Sequence, residues 1–154
     1  MKPPWDDEAG HCHARRLFES HRHWTGADLV PPTNNNRELA SRLFGAPFVL
    51  VSHGMEADPV LNYGNAAALS LWEMDWLEFT RTPSRFTAEA PNREERARLL
   101  AEVTQNGFIT NYAGVRITRS GRRFRIARAT VWNLIANDGS HAGQAATFSC
   151  WEFL

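Results

Sequence analysis

Alternation of apolar and polar positions is clearest toward the C-terminus. Three runs rich in β-branched and aromatic residues, 108–118, 122–135 and 142–153, are separated by Ser120-Gly121 and by Asn137-Asp138-Gly139. Tight Gly-bearing turns between such runs are hairpin signals, so this segment predicts a three-strand antiparallel meander. Upstream the period changes. Over 9–24, Ala14, Leu17, Phe18, His21 and Trp24 fall on one helical face, and Thr25-Gly26 ends the pattern. A Pro- and Asn-rich loop precedes a second helix over 37–44. The apolar run 48–53 reads as a buried strand and 59–63 as a short second one. Asn65 caps a helix over 66–72, a helical turn lies around 75–80, and 83–85 and 88–92 read as loops. The strongest helix propensity lies over 93–105, with Asn106-Gly107 as its stop. Residues 1–8 read as a loose, disordered tail, 9–46 as an N-terminal helical extension and 47–154 as the main domain.

With 154 residues, the chain has room for one domain with a true core. Six Trp and nine Phe imply an aromatic-rich core or pocket. Seventeen basic and seventeen acidic residues cancel, which argues against non-specific nucleic-acid binding. The charge is unevenly placed: residues 1–80 carry an excess of five negative charges and 81–154 an excess of five positive ones. All but one of the bases are Arg, suited to planar contacts with anions. Cys12 and Cys150 form no disulfide framework. Without a signal sequence or a membrane-length apolar run, a cytoplasmic protein is expected.

Two strands, short helices, a longer helix and a three-strand meander form the element order of PAS domains. Several strings narrow the likeness: Asp58-Pro59-Val60-Leu61-Asn62-Tyr63-Gly64-Asn65, Pro83-Ser84-Arg85, Gly114-Val115-Arg116-Ile117, Ser120-Gly121-Arg122-Arg123-Phe124, Ala129-Thr130-Val131-Trp132-Asn133-Leu134 and Gly143-Gln144-Ala145-Ala146-Thr147-Phe148. Together they resemble the MEKHLA domain, a PAS-related family, over roughly residues 13–154. The resemblance implies an α+β fold: a PAS-like five-stranded antiparallel sheet with short helices on one face and an N-terminal helical extension. It implies a sensory or interaction module and supplies no catalytic residue.

A guest would sit between the sheet and the short helices. By the two-residue repeat, Phe124, Ile126, Arg128, Thr130, Trp132 and Leu134 share one face. Arg128 would therefore interrupt an apolar wall, where a ligand carboxylate or phosphate, or an internal acid, would satisfy it. Arg85 on its loop is the second candidate contact. Tyr63 and Trp72 could stack on a planar ligand or belong to the core, and Asn62 and Trp132 join the candidate set. Gln144 matches a strand Gln that contacts flavin in PAS relatives, yet equally fits a bond within the sheet. No Cys lies between Ala57 and Thr147 to serve as those photoreceptors' thiol. His53 and His141 leave haem open, and the cofactor stays unassigned. The histidines of the first helix lack zinc-site spacing and read as solvated, so no metal site is expected. Glu94, Glu95, Arg93, Arg96 and Arg98 read as an exposed charged face. The Arg-rich hairpin splits its charges between two faces, which argues against a nucleic-acid patch.

The stripe of Leu17, Phe18 and Trp24 must be buried, on its own sheet or against a second subunit. A homodimer through this helix is the expectation. The function expected is a ligand- or partner-binding module signalling through assembly. The alternatives are a small enzyme using the same pocket and a purely structural dimerisation domain.

Overall fold

The Asp7 carboxylate accepts a hydrogen bond from the Gly10 amide and starts α1, Glu8–Thr25, which stops at Gly26 with φ 73°. Helix α2, Asn36–Phe44, is capped in the same way by Asn35. Then follow β1 Val49–His53, β2 Leu61–Gly64, α3 Ala66–Trp72, α4 Trp76–Phe79, a 3-10 turn Ser84–Thr87 and α5 Ala90–Asn106. Strands β3 Phe108–Ile117, β4 Arg123–Ile135, β5 His141–Phe148 and β6 Cys150–Phe153 complete the chain. This computed structural model describes residues 2–154. Of the expected loose tail, Met1 lies outside the described residues. The rest is held: Trp5 packs on Phe44, and buried Asp6 accepts from His11 and Arg37.

The sheet is antiparallel in the order β2-β1-β5-β4-β3. Strand β6 prolongs β5 along β4 in unbroken register, from Thr130 opposite Thr147 to Ala127 opposite Cys150. The third run of the meander is thus one strand interrupted at Ser149. Gly143 has φ 125° and faces the His53 carbonyl so closely that no Cβ would fit between β5 and β1.

Both faces of the sheet are covered. On one, α3, α4 and α5 pack with Trp72, Phe79, Leu99 and Val103 against Phe124, Ile126, Ala129, Val131 and Phe148. On the other, α1 and α2 pack with Leu17, Phe18, Leu39 and Leu43 against Leu50, Tyr63, Trp132 and Leu134. Leu17 and Phe18 are fully buried inside their own chain, each worth about 1.5–3 kcal/mol of burial. Trp24 is half-buried; its indole donates to the Asn133 carbonyl at 2.9 Å and stacks on Phe108. The stripe expected at a dimer interface is therefore spent on the sheet of the same protomer. Among the described residues no helix is long and apolar enough to cross a membrane.

The central strand departs from simple alternation. Ile109 faces Val131, Tyr112 faces Ala129, and Gly114 faces Ile126. Strand β3 thus has one extra residue before Tyr112, and β4 has one extra between Ile126 and Ala129. Each bulge carries a left-handed residue, Asn111 at φ 58° and Arg128 at φ 54°. The two insertions cancel, so register recovers on both sides. The face presented by β4 switches at Arg128: Phe124 and Ile126 share their side with Ala129 and Val131, whereas Trp132 and Leu134 face α1. The single row from Phe124 to Leu134 expected from strict alternation does not exist, because the bulge shifts parity by one.

Candidate functional site

Between the sheet and the layer of α3 to α5 lies a cavity of about 60 Å³. Its wall is mostly apolar, with Val51, Leu61, Phe79, Ile126, Val131 and Phe148. Into this wall are set Trp72, His53, Arg96, Tyr112, Arg116 and Gln144.

Helix α5 delivers Arg96 to the cavity because Arg96, Leu99, Leu100 and Val103 share one stripe of the helix. The Arg96 guanidinium has no protein hydrogen bond and no carboxylate within 4 Å among the described residues. Burial, and then the like charge of Arg116, depress it to about 10. Arg116 comes from β3 and is itself buried. It donates to the Val115 carbonyl at 2.8 Å and to the Tyr112 hydroxyl at 3.2 Å. The Tyr112 hydroxyl in turn donates to both oxygens of Glu95 at 3.0 Å. Burial raises the Tyr112 phenol, so it stays a donor at neutral pH. Trp72 Nε1 and His53 Nε2 are buried without a protein partner. His53 Nδ1 faces the Gly54 carbonyl at 2.9 Å, and burial lowers its pKa.

A polar clamp sets the position of α5. Asn133 and Gln144 are opposite neighbours on β4 and β5. The Asn133 amide donates to the carbonyls of Val103 and Thr104 at 3.0 and 3.3 Å, the first of which also receives the Gly107 amide at the helix end. Gln144 Nε2 reaches Leu100 O at 3.0 Å, Thr104 Oγ1 at 2.9 Å and Asn133 Oδ1 at 3.1 Å.

The expected ligand contacts divide. Trp72 and Gln144 line the cavity. Arg128 does not: the bulge turns it out to solvent, where it donates to Cys150 Sγ at 3.3 Å. Trp132 is buried on the opposite face, edge-on to His21. Tyr63 and Asn62 also lie on the α1 side, beside a shallow depression formed with Trp5, His13 and Trp76. Arg85 is exposed, paired with Asp58 at 3.1 Å and stacked on Phe86.

Two expectations about charge need correction. Arg96 is not on a solvated face, although Glu94 and Arg98 are. Its signal was a charged residue in register with Leu99, Leu100 and Val103. Nor is every histidine of α1 solvated: His13 Nε2 lies 2.9 Å from Ser52 Oγ, which donates to Asn62, and His21 is buried against the Ala27 carbonyl. Burial, then the charge of Arg16, brings His13 down to about 4. Among the described residues no three His, Cys, Asp or Glu side chains are grouped to hold a metal ion.

Solved structures share this architecture. A PAS domain from Colwellia psychrerythraea aligns with a TM-score of 0.65 at 10% identity, covering 77% of this chain and 95% of its own. A light-oxygen-voltage domain studied with a flavin analogue aligns with a TM-score of 0.60 at 14% identity, over 76% and 84%. The fold is PAS-like. In sequence, the homeobox-leucine zipper protein HOX32 of Oryza sativa subsp. indica is 24% identical over 153 residues, 99% of this chain. The chain spans only 18% of that relative's length. The MEKHLA domain model matches residues 11–153, and the chain belongs to the MEKHLA domain family.

Proposed function

We propose that this chain is a sensory or regulatory module that takes a small molecule into the cavity between α5 and the sheet. One observation carries the reading: Trp72, His53 and Arg96 line one space and each has a polar group without a protein partner, while Tyr63, Ser84 and Trp132 carry single unpaired atoms elsewhere. Trp72 Nε1 and His53 Nε2 are buried and unpaired, and Arg96 has no counter-charge. Buried polar groups are ordinarily paired, so a guest offering acceptors to Trp72 and Arg96 and a donor to His53 Nε2, whose Nδ1–H is given to the Gly54 carbonyl, would complete this set. A flavin, which the light-oxygen-voltage neighbour brings to mind, does not fit here. The cavity is several-fold below the roughly 300 Å³ at which pockets for larger ligands begin, and neither Cys12 nor Cys150 lines it.

Binding is favoured over catalysis because the acids and bases near the cavity are tied up or suppressed. Glu95 is held by Tyr112, and burial weakens His53 as a base. Signalling by assembly remains part of the reading, but it needs a surface other than Leu17 and Phe18. The free thiols suit the cytoplasm. The arginines of the meander favour no nucleic-acid role, since Arg119, Arg122 and Arg123 engage Glu78, Phe153 and Glu89.

Native mass spectrometry of the protein purified from its own host tests the reading. A retained small-molecule mass, lost when Ala146→Leu fills the cavity, supports it. A bare chain mass from several growth conditions, with Ala146→Leu more stable than the parent, reduces the cavity to imperfect packing and overturns it.

A further inference from the structure

The charged side chains that line the cavity are of one sign. Two guanidiniums, Arg96 and Arg116, face it from opposite layers, α5 and β3. Neither has a carboxylate within ion-pair distance among the described residues, and the nearby acid Glu95 is engaged by Tyr112. Bringing two like charges together out of water is unfavourable unless an anion joins them. Arg116 is already steadied by Val115 and Tyr112, whereas Arg96 has all its donors to offer. Most of the remaining wall is apolar, with His53, Tyr112 and Gln144 as its main other polar side chains. That combination disfavours phosphate, which would bring several charged oxygens against hydrocarbon. It suits a head with two oxygens and a short apolar tail. Space for about four water-sized spheres allows roughly four to five non-hydrogen atoms.

Resting on the cavity reading above, we propose that the guest is a short-chain monocarboxylate of acetate to propionate size. Its carboxylate would be held between Arg96 and Arg116 and its methyl or ethyl group set among Ile126, Val131 and Phe148.

Titration of the full chain with sodium propionate at constant ionic strength tests this, with propionamide and inorganic phosphate as comparison probes. The Trp72 indole N–H resonance, assigned with Trp72→Phe, reports occupancy, and thermal unfolding reports linkage. Propionate should shift that resonance saturably and bind about tenfold or more tightly than propionamide. Arg96→Met should lose that preference while the unliganded protein becomes more stable, because a like-charge contact has gone. An arginine serving only structure would lower stability instead. Arg96→Lys keeps the charge without the fork and should weaken propionate binding. Equal binding of propionamide and propionate, or Arg96-dependent binding of phosphate alone, overturns the monocarboxylate while leaving a ligand cavity. No response to any of the three probes, alongside a retained neutral mass in the native spectrum, also overturns it and spares the broader reading.

Discussion

Asn65 is fully buried and does more than cap a helix. Its Oδ1 accepts from Ala68 N and Leu50 N, both at 3.1 Å, and its Nδ2 donates to Leu43 O at 3.2 Å and Phe48 O at 2.8 Å. One side chain thereby ties the end of α2, the first residues of β1 and the start of α3. Replacing it with Ala removes all four bonds. The Leu43 carbonyl keeps the Ala46 amide as a partner, so the sharper losses are two buried N–H groups and the Phe48 carbonyl. A lost cap costs about 1 kcal/mol, and each further buried group left unpaired costs about 1–3 kcal/mol. The expected loss is about 4 kcal/mol. Urea unfolding followed by Trp fluorescence should show it as a midpoint lowered by about 2 M at unchanged slope. Asn65→Ser, which retains only the cap, should recover about 1 kcal/mol. A loss near 1 kcal/mol for Asn65→Ala would refute the reasoning, because the cap alone would account for the residue.

Phe18→Ala should cost about 3–5 kcal/mol, with an unfolding midpoint independent of protein concentration; a midpoint that rises with concentration would place Phe18 between subunits after all. Arg128→Gly should be neutral to stabilising, by up to about 1 kcal/mol in chemical denaturation, because Gly adopts φ 54° without strain; a clear loss would mean that the contact with Cys150 matters. For His13, the folded chain holds the proton less tightly than the unfolded chain, whose pKa is near 6.5. Its contribution is full above pH 6.5 and is lost as the pH falls from 6.5 through about 4, by roughly 2–3 kcal/mol, and His21 and His53 act in the same direction. His13→Gln should flatten that acid limb in pH-dependent thermal melts; an unchanged limb would count against it.

Apart from the 3-10 turn Ser84–Thr87 and the first residues of α5, both read as loop, the order and type of the elements were legible because they rest on local signals. Capping by Asn65, the α1 stripe and the turn at Asp138-Gly139 each appear where their patterns point. What alternation could not carry was the parity of β4. The bulge at Arg128 sits at a residue with no turn chemistry, balanced by another at Asn111, and only pairing across two strands fixes both. That one offset moved Arg128 out of the expected site and Trp132 to the other face. Gln144 was open to two readings, and its bonds to Asn133 and α5 join a within-sheet contact to a helix clamp. Arg96 and Arg116 were hidden for different reasons. Arg96 sits among ordinary helix-surface charges, and its membership of the apolar stripe is a one-residue signal. Arg116 lies among several arginines whose partners depend on tertiary contacts.

Asn133 is attached to both covering layers. Its side chain grips the last carbonyls of α5, and its own carbonyl receives the Trp24 indole of α1. The covering layers on opposite sides of the sheet are thus fastened to a single residue, as two cables to one bolt. A nudge to the tail of α5 pulls on that fastening and loads Trp24 through covalent bonds and two hydrogen bonds, without the strands having to slide.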